Sequence, residues 1–335
     1  MPVAAVTMRD IYAARQRIAS IVTRTPLIHS AWLSERVDHP VYLKLECLQE
    51  TGSFKLRGAA NKLLSLTAEE KSRGVITVST GNHGRAVSHV ARLLGIRAVV
   101  CMSQHVPANK VEAIERLGGE VVAASESYDE ADAQALAMQK QEGLTMIDPF
   151  DDPLVIAGQG TIGLELLEDL PQLDSAVIPL SGGGLFSGIA LALKTTDPGI
   201  HITGVSMERG PAMVESLRAG RVVEIVEEPT LADALAGGLG ENNRYTFDMV
   251  RRYADGTALV SEEEIADAMA FMLATHRLVV EGGGAVGIAA LRSGKIEPPG
   301  QCTAVVISGG NVDMQVLVDI AHDRRGERHP GGTNL

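Results

Sequence analysis

The sequence predicts an α/β protein of two doubly wound domains, each built around a parallel sheet. Short β-branched runs alternate with amphipathic stretches of helical period, the pattern of successive βαβ units. The alternation breaks at Pro149 and restarts, and 335 residues exceed what one compact core usually organises. Three segments, 79–84, 181–185 and 308–311, carry glycines at the ends of predicted strands, where open α/β sheets place their ligands.

In chain order, the alternating run 41–45 reads as a strand. After the turn at Gly52 a helix opens at Lys55. Strands at 75–79, 97–102, 120–124 and 145–148 then alternate with helices at 83–94, 108–117 and 129–141. Beyond Pro149 come a helix at 154–167, a strand at 176–180, a helix at 185–193 and a strand at 201–207. A helix near 262–275 and a strand at 303–308 close the pattern, with a domain boundary expected near 148–152. The stretch 323–335 is polar, contains Pro330, Gly331 and Gly332, and is expected to pack loosely.

Composition excludes several function classes. A hydrophobic content of 45% with 21% charged residues fits a soluble enzyme. A formal charge of −12 leaves no basic face for nucleic acid, and 3% aromatic residues leave no base-stacking platform. Cys47, Cys101 and Cys302 are odd in number and far apart, and neither CxxC nor HExxH spacing occurs. No metal site is inferred, and a reducing cytoplasm is the expected compartment. Arg9, Asp10, Arg15 and Arg17 interrupt the N-terminus, which lacks the apolar block of a secretory signal. Residues 175–193 are uncharged over nearly a membrane-spanning length. Pro179 and three consecutive glycines there suit a strand–loop–helix passage instead, so no membrane partner is expected.

Lys55, in Ser53-Phe54-Lys55-Leu56-Arg57-Gly58-Ala59, stands at a helix start, where unpaired N–H groups concentrate positive charge. A second cation is unfavourable there unless the amine is neutral or covalently occupied. Aldehydes such as pyridoxal phosphate are suitable occupants; a solvated first-turn lysine is the plain alternative. Ser181-Gly182-Gly183-Gly184-Leu185 offers successive backbone N–H groups at a helix start, an anion site suited to a phosphate ester, or else a tight turn. It lacks the Lys-Ser/Thr of a Walker A loop and does not complete GxGxxG, which weakens nucleoside triphosphate and nicotinamide readings. Ser79-Thr80-Gly81-Asn82-His83-Gly84 could hold a carboxylate, or simply cap a helix through Ser79 or Asn82. Ser308-Gly309-Gly310-Asn311 brings a hydroxyl to a strand end, facing a ligand's ring edge or forming a plain loop.

Together with Val155-Ile156-Ala157-Gly158-Gln159-Gly160-Thr161, these segments resemble the fold type II pyridoxal-phosphate enzymes, the tryptophan-synthase β group. Within it, the chain is most similar to the threonine/serine dehydratase and serine racemase family, from Thr25-Pro26-Leu27 to Asn311-Val312. The resemblance implies a cofactor held between a large domain (1–51 and 148–322) and a small one (52–147), and a homodimer. It implies that Lys55 is the Schiff-base lysine and that Asn82 meets the cofactor's phenolic oxygen. Gly182, Gly183, Gly184 and Leu185 would hold the phosphate, and Ser308 the pyridine nitrogen. Ser79 and His83 would receive the substrate carboxylate, with Thr80 beside them. A serine at the pyridine nitrogen leaves it closer to neutral than a carboxylate would, which favours α-proton removal coupled to loss of a β-hydroxyl. Lys55 is the natural base for that proton. The expected reaction is elimination of water from a small-molecule β-hydroxy α-amino acid such as threonine or serine, giving a 2-oxo acid and ammonia, an ammonia-lyase.

Several positions depart from the family pattern. Thr80 stands where racemases place a serine, so racemase activity is the alternative reaction, with β-replacement a further one. Ser206 and Ala212 replace the carboxylates of metal-dependent members. Tyr128 replaces an arginine that meets dicarboxylate inhibitors, and no C-terminal regulatory domain is expected. The run from Thr80 to Arg85, with Glu241-Asn242-Asn243-Arg244-Tyr245, resembles the hydroxyectoine-utilisation dehydratases, whose substrate would be a ring-opened derivative. By the same resemblance Glu281 lies near the substrate, or else it ends a helix before a glycine turn, with no catalytic role assigned; Arg85 reads either as a surface residue or as a specificity contact.

Overall fold

A computed structural model describes residues 5–79, 81–106, 108–125, 128–240 and 242–323, with only the backbone at 125, 128 and 129. Thr80, Glu241, the side chain of Tyr128 and residues 324–335 lie outside this description. The first part runs α1 (Met8–Ile18), β1 (Leu27–His29), α2 (Ala31–Val37), β2 (Val41–Leu45), α3 (Lys55–Leu64) and α4 (Ala68–Arg73). Next come β3 (Val75–Val78), α5 (Asn82–Leu94), β4 (Ala98–Ser103), α6 (Ala108–Arg116), β5 (Glu120–Ser125), α7 (Tyr128–Glu142) and β6 (Thr145–Met146). The chain continues with α8 (Pro153–Asp169), β7 (Ser175–Pro179), α9 (Gly184–Thr196), β8 (His201–Met207), α10 (Ala212–Ala219), α11 (Thr246–Tyr253) and β9 (Gly256–Val260). It ends with α12 (Glu262–Phe271), α13 (Gly282–Ser293), β10 (Thr303–Ile307) and α14 (Met314–Asp323).

The strands form two sheets, β1-β2-β10-β7-β8-β9 and β5-β4-β3-β6. All pairings are parallel except β1 with β2. The period of two along β10 splits its side chains between two cores. Val305 and Ile307 join Leu43, Val177 and the α12–α13 side chains. Ala304 and Val306 join Ala176, Ile178 and the α9 side chains. Helices on both faces leave β3, β7 and β10 buried throughout, so their sequences read as continuous apolar runs.

Helix α8 ties α3 to the large sheet by close approach. A Cβ at Gly158 would lie 2.6 Å from the Arg57 carbonyl, and one at Gly58 would lie 2.4 Å from the Gln159 carboxamide. On its other side, Gly188 of α9 faces the Ile156 carbonyl at 2.4 Å from its would-be Cβ. Glycines at these crossings therefore set how deeply α3 sits.

Some predicted elements shift. The strand expected at 145–148 pairs only over Thr145–Met146. Its continuation turns because Asp148 Oδ1 accepts the N–H groups of Phe150 and Asp151 at 2.8 and 2.6 Å. The helix expected to 275 closes as α at Phe271, and Met272–His276 forms a wider turn that ends on Arg277 at φ 60°. Glu281 does not end a helix: it is the residue before α13, and the three glycines after it are helical. Among the described residues no helix is long and apolar enough to cross a membrane.

Candidate active site

Lys55 is the first residue of α3. The end of β10 pins that start: the Phe54 N–H donates to the Ser308 carbonyl at 3.0 Å, and Ser53 bridges Gly309. The lysine and the serine are thus brought together by backbone hydrogen bonds despite their separation in sequence. Lys55 Nζ donates to the Pro149 carbonyl at 2.7 Å. Lost hydration lowers its basicity to about 8, against the opposing pull of Asp148 and Glu281.

The loop after β7 has the character expected of an anion cradle. Gly183 takes φ 88° and precedes α9, whose first N–H groups have no partner within the helix. A Cβ at Gly182 would sit 2.4 Å from the Phe150 ring, and one at Gly184 would sit 2.8 Å from the Phe150 carbonyl. Phe150 therefore supports the loop from one side. The Ser181 hydroxyl is turned away, donating to the Leu235 carbonyl at 2.8 Å.

Ser79 follows β3, and its Oγ accepts the Gly84 N–H at 3.0 Å and the Gly81 N–H at 3.3 Å. It caps the start of α5, and its hydroxyl donates to none of the described residues. The His83 ring is held by contacts of its own. Burial and the neighbouring Lys55 push its imidazole down to about 3, so it is neutral. Nε2 faces the Ile147 carbonyl at 3.0 Å and must carry the proton; Nδ1 is then a buried acceptor without a partner among the described residues. The ring offers no N–H to a carboxylate, which leaves the backbone N–H of His83 for that purpose.

Asn82 Nδ2 donates to Glu281 Oε1 at 2.6 Å, and its Oδ1 accepts from Asn311 Nδ2 at 2.7 Å. Ser308 is buried, its Oγ 3.4 Å from the Gly283 carbonyl. Burial, with Asp233 adding to it, pushes the Glu281 carboxyl up to about 7. The glycine run behind Glu281 is what lets the chain bring it here. A Cβ at Gly282 would lie 2.1 Å from the Leu231 carbonyl, and one at Gly284 would lie 2.5 Å from the Gly309 carbonyl. These close approaches carry Glu281 to the loop after β10.

One cavity of about 330 Å³ is lined by Lys55, Ser79, Asn82 and His83 together with Gly182, Gly183, Gly184, Leu185 and Ser308. Every predicted site residue among the described ones thus faces the same space. Arg85, Lys110, Asp233, Glu281 and Asn311 line it as well. A poorly hydrated amine, a side-chain-free helix N-terminus and a hydroxyl at a strand end suit an aldehyde bearing a phosphate and a ring nitrogen.

Comparison with known proteins points to the same cofactor. The chain is 44% identical over 312 residues to the L-threonine ammonia-lyase of Thermotoga maritima, covering 93% of this chain and 77% of that protein. Maize serine racemase superposes with a TM-score of 0.90 at 34% identity, over 96% of this chain and 98% of that one. The T.th. threonine deaminase superposes with a TM-score of 0.84 at 39% identity, over 92% and 99%. The family model described as pyridoxal-phosphate dependent enzyme matches residues 18–309, and the chain belongs to that family.

Proposed function

We propose that this protein is a pyridoxal-phosphate-dependent ammonia-lyase that removes water from a β-hydroxy α-amino acid, threonine or serine in the simplest case. The observation that carries the reading is the Lys55 amine, lowered to about 8 in the cavity that also holds the glycine loop and Ser308. Lys55 is the covalent anchor for the cofactor. The amides of Gly182, Gly183, Gly184 and Leu185 take its phosphate, Asn82 its phenolic oxygen and Ser308 its ring nitrogen. When bound, the cofactor supplies an electron sink for the pair left at the α-carbon.

The chain's own groups do the rest. The Ser79 hydroxyl and the backbone N–H of His83 receive the substrate carboxylate, with Thr80 between them in sequence. Lys55 takes the α-proton, and its lowered basicity raises the share of neutral amine able to do so. The β-hydroxyl departs as water, and the released enamine takes water back, so one amino acid yields one 2-oxo acid and one ammonia. Likeness to serine racemase and the hydroxyl of Thr80 support racemisation as a second reading.

The finer assignment is a ring-opened hydroxyectoine derivative as substrate, supported by the Thr80 to Arg85 motif. A homodimer, a cytoplasmic location and a division into 1–51 with 148–322 and 52–147 complete the proposal; the two separate sheets support that division. Incubating the holoenzyme with L- and D-serine, L-threonine and hydroxylated diaminobutyrates, with 2-oxo acid, ammonia and chiral analysis of the remainder, tests it. Stoichiometric 2-oxo acid and ammonia without D-isomer supports elimination; D-isomer without 2-oxo acid moves the assignment to racemisation.

A further inference from the structure

Arg85 is among the cavity residues to which the chemistry above gives no task. Arg85 lies one turn beyond Asn82 on α5, so both side chains leave the same helix face. Both end on Asn311. Arg85 Nη1 donates to Asn311 Oδ1 at 3.0 Å, while Asn311 Nδ2 donates to Asn82 Oδ1 at 2.7 Å and to the Thr51 carbonyl at 2.8 Å. Asn311 is thereby fixed with its oxygen toward the guanidinium.

That single hydrogen bond does not satisfy the arginine. Its Nε is buried and has no acceptor among the described residues. Glu281 is the carboxylate whose field reaches it, but Oε1 is engaged by Asn82 at 2.6 Å and Oε2 by the Asn311 N–H at 3.2 Å. Asp233 is paired with Lys110 at 2.6 Å, and Glu227 lines the cavity elsewhere. Burial lowers the basicity of Arg85, yet an arginine stays charged in a protein. A half-buried guanidinium, oriented by a fixed carboxamide on a cavity wall, turns its remaining Nη N–H groups to an incoming oxygen.

We propose that Arg85, held by Asn311, determines side-chain specificity by receiving an oxygen acceptor at the far end of the substrate. The preferred substrates are then β-hydroxy α-amino acids carrying a carboxylate or an acyl carbonyl on the side chain, ahead of threonine and serine. This rests on the elimination reading above. The methyl of threonine leaves the guanidinium unmet, and a site built to hydrogen-bond a group discriminates strongly against an analogue lacking it.

The test measures kcat/KM for 2-oxo acid formation by wild type, Arg85→Gln and Arg85→Lys holoenzymes, each verified by its cofactor absorbance. The substrates are L-threonine, 3-hydroxyglutamate for the carboxylate tail, and 3-hydroxy-2,4-diaminobutyrate acylated at the terminal nitrogen for the carbonyl tail. Wild type should favour one tailed substrate over threonine by at least about ten-fold. Arg85→Gln should lower that ratio by about thirty-fold, as loss of one charge-assisted hydrogen bond requires, chiefly through KM. Arg85→Lys should fall between them, and the substrate that suffers identifies the tail. A wild-type preference for threonine, or a ratio unmoved in both variants, overturns the assignment of Arg85 while leaving elimination intact. Wild type inert toward all three overturns the elimination reading, and this proposal with it.

Discussion

Arg57 of α3 and Glu165 of α8 face each other through paired N–H···O contacts of 2.6 and 2.9 Å, both side chains buried. The same guanidinium grips Glu46 twice at 2.8 Å, and Lys44 reaches Glu165 at 2.5 Å. Two cations and two carboxylates thus neutralise one another beneath the helix that starts with Lys55. The cluster fixes α3 against both β2 and α8, and so fixes where the lysine emerges.

Removing one member strands buried charge. Arg57→Ala should cost about 3–5 kcal/mol, because Glu46 and Glu165 lose their shared partner. Arg251→Ala, which breaks an exposed pair with Asp248, should cost less than about 1 kcal/mol. Urea unfolding of the two variants makes the comparison, and equal small losses would remove the cluster from the account of α3.

The phosphate cradle depends on Gly183. Alanine there must adopt φ 88° and place its Cβ 2.8 Å from Met213 Cε and 3.0 Å from Thr246 Cβ. Gly183→Ala should lose about 1–3 kcal/mol of stability from backbone strain and crowding. Because the shift moves the first N–H groups of α9, cofactor affinity should fall by at least about ten-fold. Titration of apoprotein with pyridoxal phosphate, followed by absorbance, reads the second effect; unchanged affinity would show that the phosphate lies elsewhere.

Much of this was legible in the chain. The lysine at a helix start, the glycine loop after a strand and the hydroxyl after the last strand are local signals, set by turn and cap chemistry within a few residues. What failed was long-range. The glycines at 282–284 read as a turn because glycine disfavours helices, yet tertiary approach of Leu231 and Gly309 requires them inside α13. The neutral state of His83 depends on burial beneath Ile147, which no sequence window contains. Arg85 read as a possible surface residue because its partner, Asn311, comes from the far end of the chain.

Lys55→Ala should reduce elimination by at least about a thousand-fold, since both the covalent anchor and the base are lost. Borohydride treatment of wild type, followed by peptide mass analysis, should leave a pyridoxyl group on Lys55. The variant should take none. Reduction that labels a different lysine would relocate the site.

Glu281 and Lys55 together shape the pH dependence of the apoprotein. The Glu281 carboxyl is raised from 4.5 to about 7 by burial, so the folded chain keeps a proton that the unfolded chain sheds. Its contribution is full below about 4.5 and is lost as pH rises through 7. The Lys55 amine is lowered from 10.5 to about 8, so the folded chain sheds a proton that the unfolded chain keeps. Its contribution is full above about 10.5 and is lost as pH falls through 8. The two limbs leave a stability minimum between them, with each limb worth on the order of 3 kcal/mol. Urea midpoints of apoprotein at successive pH values should trace that minimum. Glu281→Gln should flatten the acidic limb and, by removing a carboxylate that favours the charged amine, leave the alkaline limb at least as large; Lys55→Ala should flatten the alkaline limb. Should both limbs persist in both variants, other groups must govern the titration, and the depressed amine at position 55 loses its support.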